Sequence, residues 1–245
     1  MRRRAAALAA LGLVAYAVFL VAMLPARFVA AHVTLPPGLS AANVDGSVWS
    51  GRANVAYASG ASVDVAWHFR PWALFAARIA YDVEAKGSGL DAHARLSRGL
   101  AQWAVENLEA QGDAAVIASF VPLASAWQPA GRVQASAARL AWNGRELTGT
   151  GDVRWLEASL ALAPVRPLGS YTLHVEGDGG PARLRVATTQ GVLRVAGEGT
   201  LEAPGRVTFN GEVRAEGPDA PSLSALLDLL GPRRADGSHA LRLAS

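Results

Sequence analysis

Five histidines, His32, His68, His93, His174 and His239, are the side chains of this 245-residue chain best suited to acid–base or metal chemistry. Their spacing suits neither task. There is no His-x-His pair, no His-Glu-x-x-His run and no carboxylate in a facial position beside them. His68, His93 and His174 fall on the polar phase of alternating segments, where a solvated imidazole is the ordinary outcome. The absence of cysteine excludes disulfides, thiolate metal sites and thiol nucleophiles together. Gly149-Thr150-Gly151 and Gly197-Glu198-Gly199 lack the third glycine of a dinucleotide loop, and no Gly-x-Ser-x-Gly elbow or phosphate loop occurs. The glycine pairs read instead as bulges or close sheet contacts. The residues therefore predict no enzyme, no catalytic residue, no cofactor and no metal.

Seven tryptophans remain as the residues with most to contribute to binding. Most have the spacing of core filling on an alanine-rich sheet. Trp72 differs, because it lies between Pro71 and Phe75 in a connection, where an indole is free to meet a partner or a membrane.

Before these residues comes Ala5 to Leu24, which has no charge and no proline. At about 1.5 Å per residue it reaches across the roughly 30 Å of a bilayer's hydrocarbon core. Its nine strongly apolar residues sum to an insertion free energy on the order of −4 kcal/mol. Arg2, Arg3 and Arg4 precede it and hold the N-terminus in the cytoplasm by the positive-inside rule. A cleaved signal peptide is the competing reading, with Val29-Ala30-Ala31 as the cleavage site. The apolar run exceeds the roughly 7 to 15 residues usual in such peptides, which favours a retained anchor. The expected organisation is a cytoplasmic stretch at 1–4, a transmembrane signal anchor at 5–25, a linker at 26–36 and an exported β-rich domain at 37–245. The topology expected is single-pass, with the N-terminus cytoplasmic and the bulk outside the cytoplasm.

Taking Arg2 to Arg4 away leaves 23 − 3 = 20 basic residues against 20 acidic ones in the exported part. That near-neutral balance gives no support to nucleic-acid or polyanion binding. With no disulfide to hold it, the exported part must be stabilised by burial and sheet pairing.

After Pro36-Pro37-Gly38 the hydrophobic period becomes two. Val63 to Phe69, Ile79 to Val83 and Leu90 to Leu96 alternate as half-buried strands, with a short helical turn expected at Arg70 to Phe75. A strand around Gln102 to Ala110 slips phase near Asn107, as a bulge would make it. Val116 to Ala126 reads as a short helix with a turn. Val133 to Trp142 and Leu147 to Trp155 flank Asn143-Gly144, the signature of a type I′ hairpin. Ala158 to Ala163, Tyr171 to Glu176, Arg183 to Ala187, Val192 to Gly197, Arg206 to Arg214 and Ser238 to Leu243 continue the array. One helix is expected at Leu223 to Leu230, capped by Ser222 or Asp219, stopped by Gly231-Pro232, and laid with its leucines on the sheet. The fold class is mainly β: an N-terminal transmembrane helix, then a long curved antiparallel meander with a few short helices.

Val44-Asp45-Gly46-Ser47-Val48-Trp49-Ser50-Gly51 reads as a short strand bracketed by Gly46 and Gly51, with Val48 and Trp49 on opposite faces. This Gly-Ser-Val-Trp-Ser-Gly, close after an apolar leader, resembles the opening of the type II secretion system protein N family. The likeness continues through Trp67, Pro71 and Leu74, then Gly169-Ser170-Tyr171, then Leu229-Leu230-Gly231 before Asp236-Gly237. The resemblance implies an accessory inner-membrane component of the machine that moves folded periplasmic proteins across the outer membrane. Its partners would be other subunits of that machine in the inner membrane and periplasm. The family's sheet-rich domain also resembles AsmA-like envelope proteins, which keeps lipid open as a partner and lipid handling in a sheet groove as the alternative function. Candidate interaction residues are Gly46, Val48, Trp49, Gly51, Pro71, Trp72 and Phe75.

Overall fold

The computed structural model describes residues 12–13, 16, 19–20, 23–30, 38–57, 60–87, 89–119, 126–202 and 206–244. Most of the expected anchor lies outside them. Of that stretch, residues 12, 13, 16, 19 and 20 are helical. Among the described residues no helix is long and apolar enough to cross a membrane. A short helix, α1 (Ala26–Ala30), falls in the expected linker and packs back on the sheet through buried Ala26.

Among the described residues thirteen strands form one open antiparallel sheet in which every strand pairs with its neighbours in sequence. They are β1 (Leu39–Gly46), β2 (Ser50–Tyr57), β3 (Ser62–Phe69), β4 (Ile79–Gly87), β5 (Leu90–Arg98), β6 (Trp103–Asp113) and β7 (Pro129–Trp142), then β8 (Leu147–Leu160), β9 (Gly169–Asp178), β10 (Ala182–Gly191), β11 (Leu193–Glu202), β12 (Arg206–Ala215) and β13 (His239–Ala244). The meander, the short helices and the turn at Pro71–Ala76 agree with the expected class.

Alternation gives the sheet two chemically distinct faces. Across the first half, Phe69, Tyr81, Leu96, Val105 and Leu140 stand opposite one another on one face. Their neighbours His68, Asp82, Arg95, Glu106 and Arg139 make a polar rung on the other. Asp82 accepts from Arg95 Nε at 2.9 Å and pairs with Arg70 Nε at 3.3 Å. Such exposed pairs contribute at most about 1 kcal/mol each, so they fix register more than they add stability. The phase slip near Asn107 is a register shift between β5 and β6, with Asn107 at φ 50°.

In the second half the apolar face is filled. Phe209 lies over a glycine floor: a Cβ on Gly197 would come 2.5 Å from its Cζ, and one on Gly211 would come 2.9 Å from its Cε1. Helix α3 (Ser224–Leu230) then seats Leu226 and Leu227, with Leu223 ahead of them, against Leu168, Leu193 and Val213. Each buried leucine contributes about 1.5–3 kcal/mol of transfer free energy. That cluster caps one end of the sheet, as the leucine stripe implied.

Several local expectations are corrected. Ser47 to Trp49 is not a strand but the turn between β1 and β2, which pair Gly46 with Gly51, because the Ser47 hydroxyl organises it into a tight corner. Asn143-Gly144 belongs to a four-residue connection, not a two-residue type I′ turn. Asn143 Oδ1 accepts from the backbone N–H groups of Arg145 and Glu146, and of the pair only Gly144 has positive φ. Ala158 to Ala163 is no separate strand: a bulge near Glu157 (φ 51°) lets β8 run on to Leu160, and a turn follows. Neither Ser222 nor Asp219 caps α3, since the Ser222 hydroxyl donates to the Asp219 carbonyl at 2.6 Å and a 3-10 turn over Ala220–Leu223 leads into the helix. The short helix expected over 116–126 is α2 (Ala114–Ser119), and residues 120–125 lie outside the described part.

Candidate interaction surface

All seven candidate residues gather at one end of the first strands, where the β1–β2 turn and the β3–β4 connection lie. In the first turn Ser47 Oγ accepts from the N–H groups of Trp49 (3.3 Å) and Ser50 (3.2 Å), while Ser47 N donates to Ser50 O at 2.9 Å. The Ser47 carbonyl in turn accepts from Trp67 Nε1 at 3.1 Å. Gly51 is required because the Trp67 ring passes over it: a Cβ there would meet Trp67 Cζ2 at 2.6 Å and the Asp45 carbonyl oxygen. Gly46 adopts φ 92°, the left-handed conformation glycine takes without strain. Trp49 packs on Phe69 with ring centroids 4.7 Å apart, and Phe69 on Tyr81 at 5.4 Å. Burial raises the Tyr81 pKa above its ordinary value. Val48 donates its N–H to Leu24 O at 3.0 Å, and Pro25 bridges to Ser47, so the N-terminal segment is tied to this corner. The first four candidates thus build the corner, with Val48 and Trp49 half-buried in it.

Pro71, Trp72 and Phe75 occupy the 3-10 turn Pro71–Ala76, none of whose residues is buried. Trp72 is 77% and Phe75 86% exposed, and their rings stack on each other at 5.9 Å. The turn is closed at Ala77 (φ 51°), whose N–H donates to Leu74 O. Among the described residues the two rings pack on each other and otherwise stay open. The β5–β6 loop beside it adds a residue that sequence reasoning passed over, Leu100, which is 93% exposed. Its signal was an apolar residue between Gly99 and Gln102 in a turn. Flanking that loop, Arg98 at the end of β5 lies 4.5 Å over the ring of Trp103 at the start of β6.

An apolar groove of about 540 Å³ runs from Ala26 and Val44 past Trp67 and Val83 to Leu96 and Trp103. It does not continue along the sheet, because Phe209 and the α3 leucines fill the same face further on. The lipid-handling alternative needs a continuous trough and is not favoured by this arrangement.

His68 Nδ1 lies 3.1 Å from Ser50 Oγ, and His174 Nδ1 lies 2.9 Å from Asp152 Oδ1. His93 pairs loosely with Glu109 on the exposed polar face. His239 is buried, 2.9 Å from the Gly231 carbonyl, and His32 lies outside the described residues. Among the described residues no three carboxylate or imidazole groups converge to hold a metal ion.

The fold and its exposed features define a β-sheet scaffold that offers tips, edges and one apolar face. Residues 37–242 match the family described as type II secretion system (T2SS), protein N, and the chain belongs to that family. A curated relative, type II secretion system protein N of Aeromonas hydrophila, is 44% identical over 69 residues. That alignment takes in 27% of this chain and 27% of the relative, so the likeness spans about a quarter of the relative's length. No solved structure matches the chain.

Proposed function

We propose that the chain is an accessory inner-membrane component of type II secretion whose sheet, on the periplasmic side, binds other subunits of the machine. The observation that carries this reading is the family match over 37–242. The work is done by surface contact, with no catalytic step. Two features of the fold suit it. Strands β1 and β13 each have a strand neighbour on one side only among the described residues, and an open edge recruits a partner by strand addition. The β1–β2 corner is rigidly built and tied to the N-terminal segment, so a contact there would be held at a fixed distance from the bilayer. The apolar stretch at 5–25 would be the anchor, with the N-terminus cytoplasmic.

The test is export. In a strain that depends on this pathway, deleting the gene should trap secreted hydrolases in the periplasm, and the full chain supplied in trans should restore their release. Undiminished export in the deletion strain would overturn the reading.

A further inference from the structure

We infer that the apolar tips of β3–β6 form a membrane-docking rim that beds into the interface of an anionic phospholipid bilayer and so holds the sheet upright on it. This rests on the inner-membrane reading above.

Four observations converge. The first is composition: Trp72, Leu74, Phe75 and Leu100 are exposed at one end of the sheet, in two adjacent connections. Just below them, Ile79, Arg98, Trp103, Trp142 and Leu147 stand opposite one another across β4 to β8. Indoles beside aliphatic side chains are what settles at the headgroup level of a bilayer.

The second is charge. The segment 70–79 carries Arg70 and Arg78 and the segment 96–103 carries Arg98, with no acidic residue in either. Arg70 and Arg78 are paired within the sheet, with Asp82 and Glu106, so Arg98, over the Trp103 ring, is the guanidinium these ion pairs leave to meet lipid phosphates while its stem stays on apolar surface.

The third is contrast. At the same end, later connections are polar: Asn143-Gly144-Arg145-Glu146 and Asp178-Gly179-Gly180. The opposite ends of β4 to β6 are polar as well, with Lys86, Asp91, Gln111 and Asp113. Leu162 and Leu229 are exposed at the other end of the sheet, but no aromatic ring accompanies them, so it is the aromatic tips that are local to one corner.

The fourth is where the chain enters. The helical residues before Met23 lead to Leu24 and Pro25, which are bonded to Val48 and Ser47 at that same end of the sheet. Leu13, Tyr16, Phe19 and Leu20 in that segment are exposed apolar residues, as is Met23 after them. A segment held by a bilayer delivers this corner to it and no other. The occupant fitted by all four observations is lipid and not a protein groove.

The absence of cysteine makes the test clean. Single variants Phe75→Cys, Leu100→Cys and, at the far end, Asp91→Cys are made in the full chain and labelled with an environment-sensitive dye. They are reconstituted in vesicles of phosphatidylethanolamine and phosphatidylglycerol with or without brominated phospholipid. The labels at 75 and 100 should emit to the blue of the label at 91 and lose intensity to the brominated lipid, which the label at 91 should not. Labels at 75 and 100 as exposed and as unquenched as that at 91 would overturn the proposal. A blue-shifted but unquenched label would overturn it too, since it would mean burial against a second copy. Carbonate extraction of the same vesicles separates the two readings: a chain that resists extraction while its tips stay unquenched keeps the anchor and loses the rim.

Discussion

Replacing Gly51 by alanine tests the claim that the Gly-Ser-Val-Trp-Ser-Gly stretch is first of all a folding device. The added Cβ would stand 2.6 Å from Trp67 Cζ2 and against the Asp45 carbonyl, so the indole or the corner must move. Overpacking of this kind costs about 1–3 kcal/mol. If the indole swings out, the hydrogen bond from Trp67 Nε1 to Ser47 O goes with it, a further loss of about 0.5–1.5 kcal/mol. The sum, about 1.5–4.5 kcal/mol, corresponds to a fall in Tm of about 3–18 °C for a domain of this size. Gly144→Ala is the control: at φ 96° it carries left-handed strain of about 1–2 kcal/mol, but its Cβ meets no neighbour within 4 Å. Thermal melts of the full chain in detergent, followed by circular dichroism and tryptophan emission, should rank Gly51→Ala well below Gly144→Ala, with red-shifted emission from the released indole. A Gly51→Ala protein that melts no lower than Gly144→Ala would refute the steric argument. Any export defect of that variant would then have to be read as a lost contact.

Leu223 is fully buried, so Leu223→Ala should cost about 2–5 kcal/mol, read as a lower denaturant midpoint in urea titrations. Trp72→Ala and Phe75→Ala, at the other extreme, should leave stability within about 0.5 kcal/mol of the native chain in detergent, because neither ring is packed by the fold. Burial pushes the Tyr171 hydroxyl up to about 12, with its O–H donating to the Leu193 carbonyl. The unfolded chain releases that proton near pH 10, so stability should be intact below about pH 10 and fall as pH rises toward 12. Tyr171→Phe should flatten that alkaline loss in stability measured by denaturation at each pH, and an unchanged slope would contradict the assignment.

The strands could be read from period-two alternation because one face of the sheet is apolar and the other charged, a pattern that Val63 to Phe69 and Leu90 to Leu96 carry in single residues. The slip at Asn107 could be read for the same reason, since a bulge reverses the faces. What could not be read depended on contacts between distant residues. Gly51 is fixed by Trp67, sixteen positions on, and so a turn looked like a strand. The two-residue hairpin at Asn143 was misread because the Asn143 side chain, not its backbone conformation, closes the loop. Trp72 and Phe75 stood out as aromatic residues in a connection, while Leu100 passed unnoticed because one leucine in a turn has no periodicity to mark it.

The central claim is that this sheet works by touching other subunits of the secretion machine. A photoreactive amino acid placed at Ala42 in edge strand β1, in cells secreting at their normal rate, tests it most directly. The account predicts a crosslinked adduct containing a second type II secretion subunit, absent when the same group is placed at Glu198 in β11, where strands flank both sides. Recovery of the chain without adducts from β1, β13 or the β1–β2 corner, while export continues, would contradict it.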